Sequence, residues 1–147
     1  QETAGEIAEA LARDSRIARV FYPGLAAHPG HDIARRQQKG FGAMLSVEFA
    51  DEVDVLDLLR GLSIFTIAES LGGFESLVCT PTTMTHASMT PEARKIAGIS
   101  DRLVRFSVGL EHSKDLLRDI FAALDAVAVP AAVNVAAFRK PGEANAR

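Results

Sequence analysis

The sequence has no tryptophan, one tyrosine and one cysteine among its 147 residues. A single cysteine, Cys79, excludes an internal disulfide, so the fold has to be held by its apolar core. No run of about 20 apolar residues is present to span a bilayer, and no stretch has the pattern of a signal peptide. Charge of one sign is also lacking. The net charge is −3 with acids and bases interspersed, which leaves neither a basic face for a phosphate backbone nor a polybasic membrane anchor. Nucleic acid and membrane are therefore not expected as partners, and the cytoplasm is the expected compartment. Lysine is scarce, at Lys39, Lys95, Lys114 and Lys140. A hydrophobic content of 48% is enough for one domain to close a core without staples.

Segment types alternate along the chain. A helix is expected from about Glu2 to Asp14, then a strand over Ile17–Phe21 that Pro23 and Gly24 stop. His31 to Lys39 is polar with helical spacing. Ala43 to Phe49 sets Met44, Ser46 and Glu48 against Leu45, Val47 and Phe49, the period of a half-buried strand. Asp51 to Leu59 places Val53, Leu56 and Leu59 on one helical face, with Gly61 as the stop. Short strands follow near Ile64 and over Ser76–Cys79. Thr90 and Pro91 start a helix that Gly98 ends. Leu103 to Val108 alternates again, and His112 to Val127 carries Leu116, Leu117, Ile120, Phe121 and Leu124 as an amphipathic stripe. The expected class is α+β, a small, mostly antiparallel sheet of about four strands with helices on one face. Residues 1–127 form the domain. Residues 128–147, which lose periodicity after Phe138, read as a frayed or loosely docked tail. Gln1 in place of Met and a helical pattern from the outset suggest a chain cut from something longer.

Chemistry concentrates in two segments. In LVRFSV, alternation puts Val104, Phe106 and Val108 on one face and Leu103, Arg105 and Ser107 on the other. A mid-strand guanidinium suits a carboxylate through two parallel hydrogen bonds, although an ordinary salt-bridged arginine is the commoner occupant of such a position. In IFTIAESLGGFESL, Glu69 and Ser70 precede a double glycine, which permits a positive φ or a close approach to a ligand and leaves amides free for an anion. A plain turn explains the same residues. His28 and His31 flank Pro29–Gly30 without a third ligand nearby, so they read as exposed imidazoles in a turn rather than a metal site. His86 reads as a hydrogen-bonded structural residue and Cys79 as a small apolar side chain. The acids of DEVD belong to a helix start. No metal is expected.

YPGL, the following HPxH, RRQxxGFGAMLS, FTIAESLGGFESL, MTHASMTPEAR, AGISDRLVRFSVGLE and DLLRDI stand in the order and spacing of the Cys/Met-metabolism pyridoxal-phosphate enzymes. Over roughly residues 1 to 127 the chain resembles the C-terminal domain of that family, part of the type I fold of pyridoxal-phosphate transferases. The resemblance implies that Arg105 holds the α-carboxylate of an amino-acid substrate. It implies that Ser70 lies beside that carboxylate, that Glu69 lies by the distal or amino end, and that Thr85 lines the same pocket.

The implied chemistry is γ-replacement on an activated homoserine by cysteine, as in cystathionine γ-synthases, with the cofactor ring as electron sink. The related elimination of cystathionine γ-lyases is the alternative. A non-catalytic ligand-binding or interaction module is a third reading. The family also implies an N-terminal cofactor domain and a homotetramer. The cofactor's lysine and phosphate-holding residues precede the region covered by the resemblance. Lys39 and Lys95 lie in polar helices, Lys114 opens a helix and Lys140 is in the tail, so none has the desolvated setting of an activated amine. These residues alone are accordingly expected to bind no cofactor and to be inactive.

Overall fold

The computed structural model describes residues 1–84 and 88–128. The elements run α1 (Glu2–Leu11), β1 (Ile17–Phe21), α2 (His31–Gln37), β2 (Met44–Phe49), α3 (Val55–Gly61), β3 (Thr66–Ile67), β4 (Leu77–Cys79), α4 (Pro91–Ile96), β5 (Leu103–Ser107) and α5 (Ser113–Ala128). The tail expected from 128 onward lies outside the described residues except for Ala128, the last residue of α5. Among the described residues no helix is long and apolar enough to cross a membrane.

The five strands form one sheet in the order β1-β2-β5-β4-β3, one strand more than expected. Three of the four pairings are antiparallel, and β3 lies parallel to β4. The alternation read from β2 and β5 decides which residues enter the core. Leu45, Val47 and Phe49 are at most 1% exposed, and Val104 and Phe106 are wholly buried. The register aligns Leu45, Phe106 and Val78 across three strands, and cross-strand neighbours share a face.

Three helices cover that face. Ala4, Ile7, Ala8 and Leu11 of α1 recur at i, i+3, i+4 and i+7, and Leu116, Ile120, Ala123 and Leu124 of α5 at i, i+4, i+7 and i+8, each a single helical stripe. Both stripes join Val55, Leu58 and Leu59 of α3 and the sheet residues in one apolar cluster. Short α4 buries no residue of its own and stands across a shallow cleft from Glu48 on the opposite face. Thr90 caps it as expected, its hydroxyl accepting from the Ala93 amide.

One local expectation changes. Helix α3 begins at Val55 rather than Asp51, because the Asp54 carboxylate accepts from the Asp57 amide and fixes the first turn there. The buried face becomes Val55, Leu58 and Leu59, and Leu56 is 51% exposed. The strand expected near Ile64 is present and runs over Thr66–Ile67. Its approach is held from a distance: the Asp119 carboxylate on α5 accepts from the amides of Ser63, Ile64 and Phe65 at 2.8, 2.9 and 3.3 Å. Removing that carboxylate orphans three amides around a buried side chain. Asp119→Ala is expected to destabilise the domain by about 1–3 kcal/mol in denaturant melts; a loss near zero would mean that water replaces the carboxylate at no cost.

A charged hub ties the α1–β1 turn to α5. Arg16 donates to Asp14 at 2.7 and 2.9 Å and to Asp125 at 2.6 Å. The hydrogen bond from Arg16 holds the Asp14 carboxyl below the ordinary carboxylate value, against a smaller opposing effect of burial. The native state then binds this proton less well than the unfolded chain does. The stabilisation is full above the unfolded carboxylate pKa, about 4, and is lost as pH falls toward the native value. Asp14→Asn is expected to flatten part of the acid limb of a stability-versus-pH curve while changing its neutral-pH slope little; an unaltered acid limb would refute this.

Candidate functional site

The face of the sheet away from the helices carries a different set of side chains. Ser46, Arg105 and Cys79 stand in line across β2, β5 and β4, and Met44, Ser107 and Leu77 form the next row. Arg105 thus points away from the core, as alternation predicts, and its side chain is half-buried. Its one hydrogen bond among the described residues runs from Nη2 to the Glu69 carbonyl at the long distance of 3.5 Å. No described carboxylate pairs with it. Cys79 is free and 1% exposed.

The loop between β3 and β4 brings the second predicted segment to Arg105. Glu69 reaches the guanidinium through its backbone, and its side chain is exposed. Ser70, also exposed, lines an open hollow of about 340 Å³ with Thr66, Ala68, Gly73 and Phe74. Arg105 does not line it. Thr85 and His86 lie outside the described residues. Larger hollows, of about 460 and 440 Å³, sit between α1 and the β1–α2 loop and beside α4, and neither includes a predicted site residue.

The loop is fastened at two places that periodicity does not expose. Gly72, with φ +73°, takes the left-handed turn that glycine allows at little cost. Its amide is not free for an anion, because it donates to Ser107 Oγ on β5 at 2.9 Å. At the far end, Ser76 is fully buried. Its amide and hydroxyl donate to the two Glu111 carboxylate oxygens at 2.9 and 2.7 Å, and its hydroxyl accepts from the Gly109 amide at 2.9 Å. The Leu110 amide donates to the Phe74 carbonyl at 2.9 Å. Burial pushes the Glu111 carboxyl up, but the hydrogen bonds from Ser76 outweigh it, and the group stays below its ordinary value. Glycine is required at 109, since a Cβ there would lie 2.4 Å from the Phe74 carbonyl oxygen. Leu71, Phe74 and Leu110 are 52%, 72% and 85% exposed, an apolar surround for the loop.

Among the described residues no three potential metal ligands cluster. His28 and His31 are half-buried rather than exposed. The Gly30 amide donates to His28 Nδ1, whereas His31 Nδ1 lies 2.8 Å from the Pro23 carbonyl with its ring stacked on Phe41. Both imidazoles shape the turn. The described lysines, Lys39, Lys95 and Lys114, are all exposed.

The family model described as Cys/Met metabolism PLP-dependent enzyme matches residues 1–125. A cystathionine β-lyase of Lactococcus lactis is 52% identical over 122 residues, covering 83% of this chain and 32% of the relative. For the cystathionine γ-synthase of Escherichia coli the identity is 50% over 121 residues, with 82% and 31% covered. Among solved structures, the cystathionine γ-synthase of Xanthomonas oryzae in complex with cystathionine superposes with a TM-score of 0.81 at 54% identity, over 86% of this chain and 33% of that one. The chain spans about a third of the length of the curated relatives it matches. The match over residues 1–125 and the identities of about 50% over more than four-fifths of its length show that the chain belongs to the Cys/Met-metabolism PLP-dependent enzyme family.

Proposed function

We propose that residues 1–127 are the substrate-carboxylate-binding domain of a pyridoxal-phosphate enzyme of trans-sulfuration, and that the enzyme is a cystathionine γ-synthase. The observation that carries this reading is the half-buried Arg105 guanidinium, without a carboxylate partner among the described residues, beside the backbone of the Glu69–Gly73 loop. A planar fork in that position is matched by a substrate carboxylate through two charged hydrogen bonds. On this reading Arg105 fixes the α-carboxylate, Ser70 lies beside it, Glu69 faces the distal or amino end, and Thr85 lines the pocket. The reaction is γ-replacement: the acyl-oxygen group of an activated homoserine leaves the γ-carbon as a carboxylate, and the cysteine sulfur then bonds to that carbon while its thiol proton is released, giving cystathionine.

The cofactor of the family does not fit the lysines described. Lys39, Lys95 and Lys114 are solvated, so none has the desolvated amine that attachment needs. We assign attachment to residues outside this segment, in an N-terminal domain within a cytoplasmic homotetramer. The isolated 147-residue polypeptide is accordingly inactive.

A second reading has specific support, because relatives named cystathionine β-lyase and γ-lyase reach 52% and 46% identity. The preference for synthase rests on the 54% identity to the Xanthomonas synthase, against 36% to the γ-lyase structure from Lactobacillus plantarum. Assays of the full-length protein decide. An activated homoserine plus cysteine should yield cystathionine faster than cystathionine alone yields keto acid. Faster release of 2-oxobutyrate would indicate a γ-lyase, and faster release of pyruvate a β-lyase.

A further inference from the structure

The loop that reaches Arg105 has few means of holding its shape by itself. Glu69 through Glu75 are all exposed, and Leu71 and Phe74 bury little apolar area. Its position depends on the strand beneath it and on the segment that follows that strand. Ser107 Oγ holds the Gly72 amide from below. Beyond Phe74, four hydrogen bonds converge within a few residues: Ser76 amide and hydroxyl to Glu111, Gly109 amide to Ser76, and Leu110 amide to the Phe74 carbonyl. Glu111 alone supplies two of the acceptors. Its carboxylate has no basic partner within ion-pair distance among the described residues, so its oxygens are committed to Ser76.

We propose that Glu111, acting through Ser76, is a positioning residue that fixes the Glu69–Glu75 loop against β5 and so sets the geometry of the Arg105 site. The inference rests on the carboxylate-binding reading of Arg105. Glu111 lies 35 residues from Ser76 in sequence, and it meets the end of the loop through the Ser76 amide and hydroxyl. The closeness of Gly109 to the Phe74 carbonyl supports the same reading. The two backbones are in contact there, and any movement of the Gly109–Glu111 segment is transmitted to the loop.

The test uses the full-length protein with Glu111→Ala, Ser76→Ala and, as the conservative variant, Glu111→Gln, whose side chain still accepts from the Ser76 amide and can donate to its hydroxyl. Steady-state kinetics and amide hydrogen exchange by mass spectrometry are read in parallel. E111A and S76A should each raise KM for the amino-acid substrate about 5- to 20-fold, less than the loss of a direct charged hydrogen bond to the substrate, with kcat changed less than about threefold. Exchange should quicken in peptides covering 69–76 and not in those covering 17–21. E111Q should recover most of both. A purely structural Glu111 would lower the melting temperature while leaving KM and loop exchange at wild-type values, and that result overturns the proposal. Arg105→Ala separates the two claims. If it raises KM and E111A does not, only the positioning role fails. If it leaves KM unchanged, the carboxylate reading fails, and the exchange data still decide whether Glu111 holds the loop.

Discussion

Phe106→Ala is expected to cost the domain about 3–5 kcal/mol, the range for removing a fully buried aromatic ring from a packed core. Phe106 sits on β5, the middle strand of the sheet, with no exposed surface. Its ladder neighbours are Leu45 on one side and Val78 on the other. Its ring meets Phe65 edge-on at 5.2 Å, a geometry that adds to the area buried. Truncation leaves a void in the apolar cluster beside Leu45, Val78 and Phe65 that the sheet cannot close without breaking register. A chemical denaturation series should show a lower midpoint with an unchanged slope. A loss under about 1 kcal/mol would mean that the core collapses into the space and that β5 is not its centre. The consequence for the site is direct, because Phe106 lies between Arg105 and Ser107 and holds the strand that aims both.

The second large effect is expected at Arg105 itself. In the full-length protein, Arg105→Ala should weaken apparent substrate affinity by about 1.5–3 kcal/mol, the scale of a charged hydrogen bond, or about 10- to 150-fold. Arg105→Lys keeps the charge but loses the fork and should fall between the two. Stability should change little, since Arg105 makes only the long contact to the Glu69 carbonyl among the described residues. Unchanged affinity in both variants would make Arg105 a structural residue.

What could be read from the sequence follows the range of the interactions involved. The two-residue period of β2 and β5 and the helical stripes of α1 and α5 are local records of one continuous core, and they placed Arg105 on the open face before any contact was known. Thr90 announced its helix because a cap bonds within three residues. The onset of α3 was misplaced because Asp54 and Asp51 look alike in sequence, and only the bond to the Asp57 amide distinguishes them. The position of β3 depends on Asp119, some 55 residues away, and no periodicity encodes such a partner. At the site, the double glycine permits the positive φ that Gly72 adopts, and the Gly72 amide, which donates to Ser107, fits the plain turn rather than an open anion site. Glu111 and Ser76 were missed for the same reason as Asp119. The one local hint was a buried serine following an exposed loop, which is visible only once burial is known.

The central claim, that Arg105 receives the substrate's α-carboxylate, is tested most directly by a cycle on the full-length protein that pairs Arg105→Ala with a substrate whose α-carboxylate is replaced by a carboxamide. Wild type should lose about 10- to 150-fold in affinity on moving to the carboxamide, and the Arg105→Ala variant should show almost no further loss, because the partner is already gone. Equal losses in the two proteins would contradict the account by showing that the carboxylate is held elsewhere.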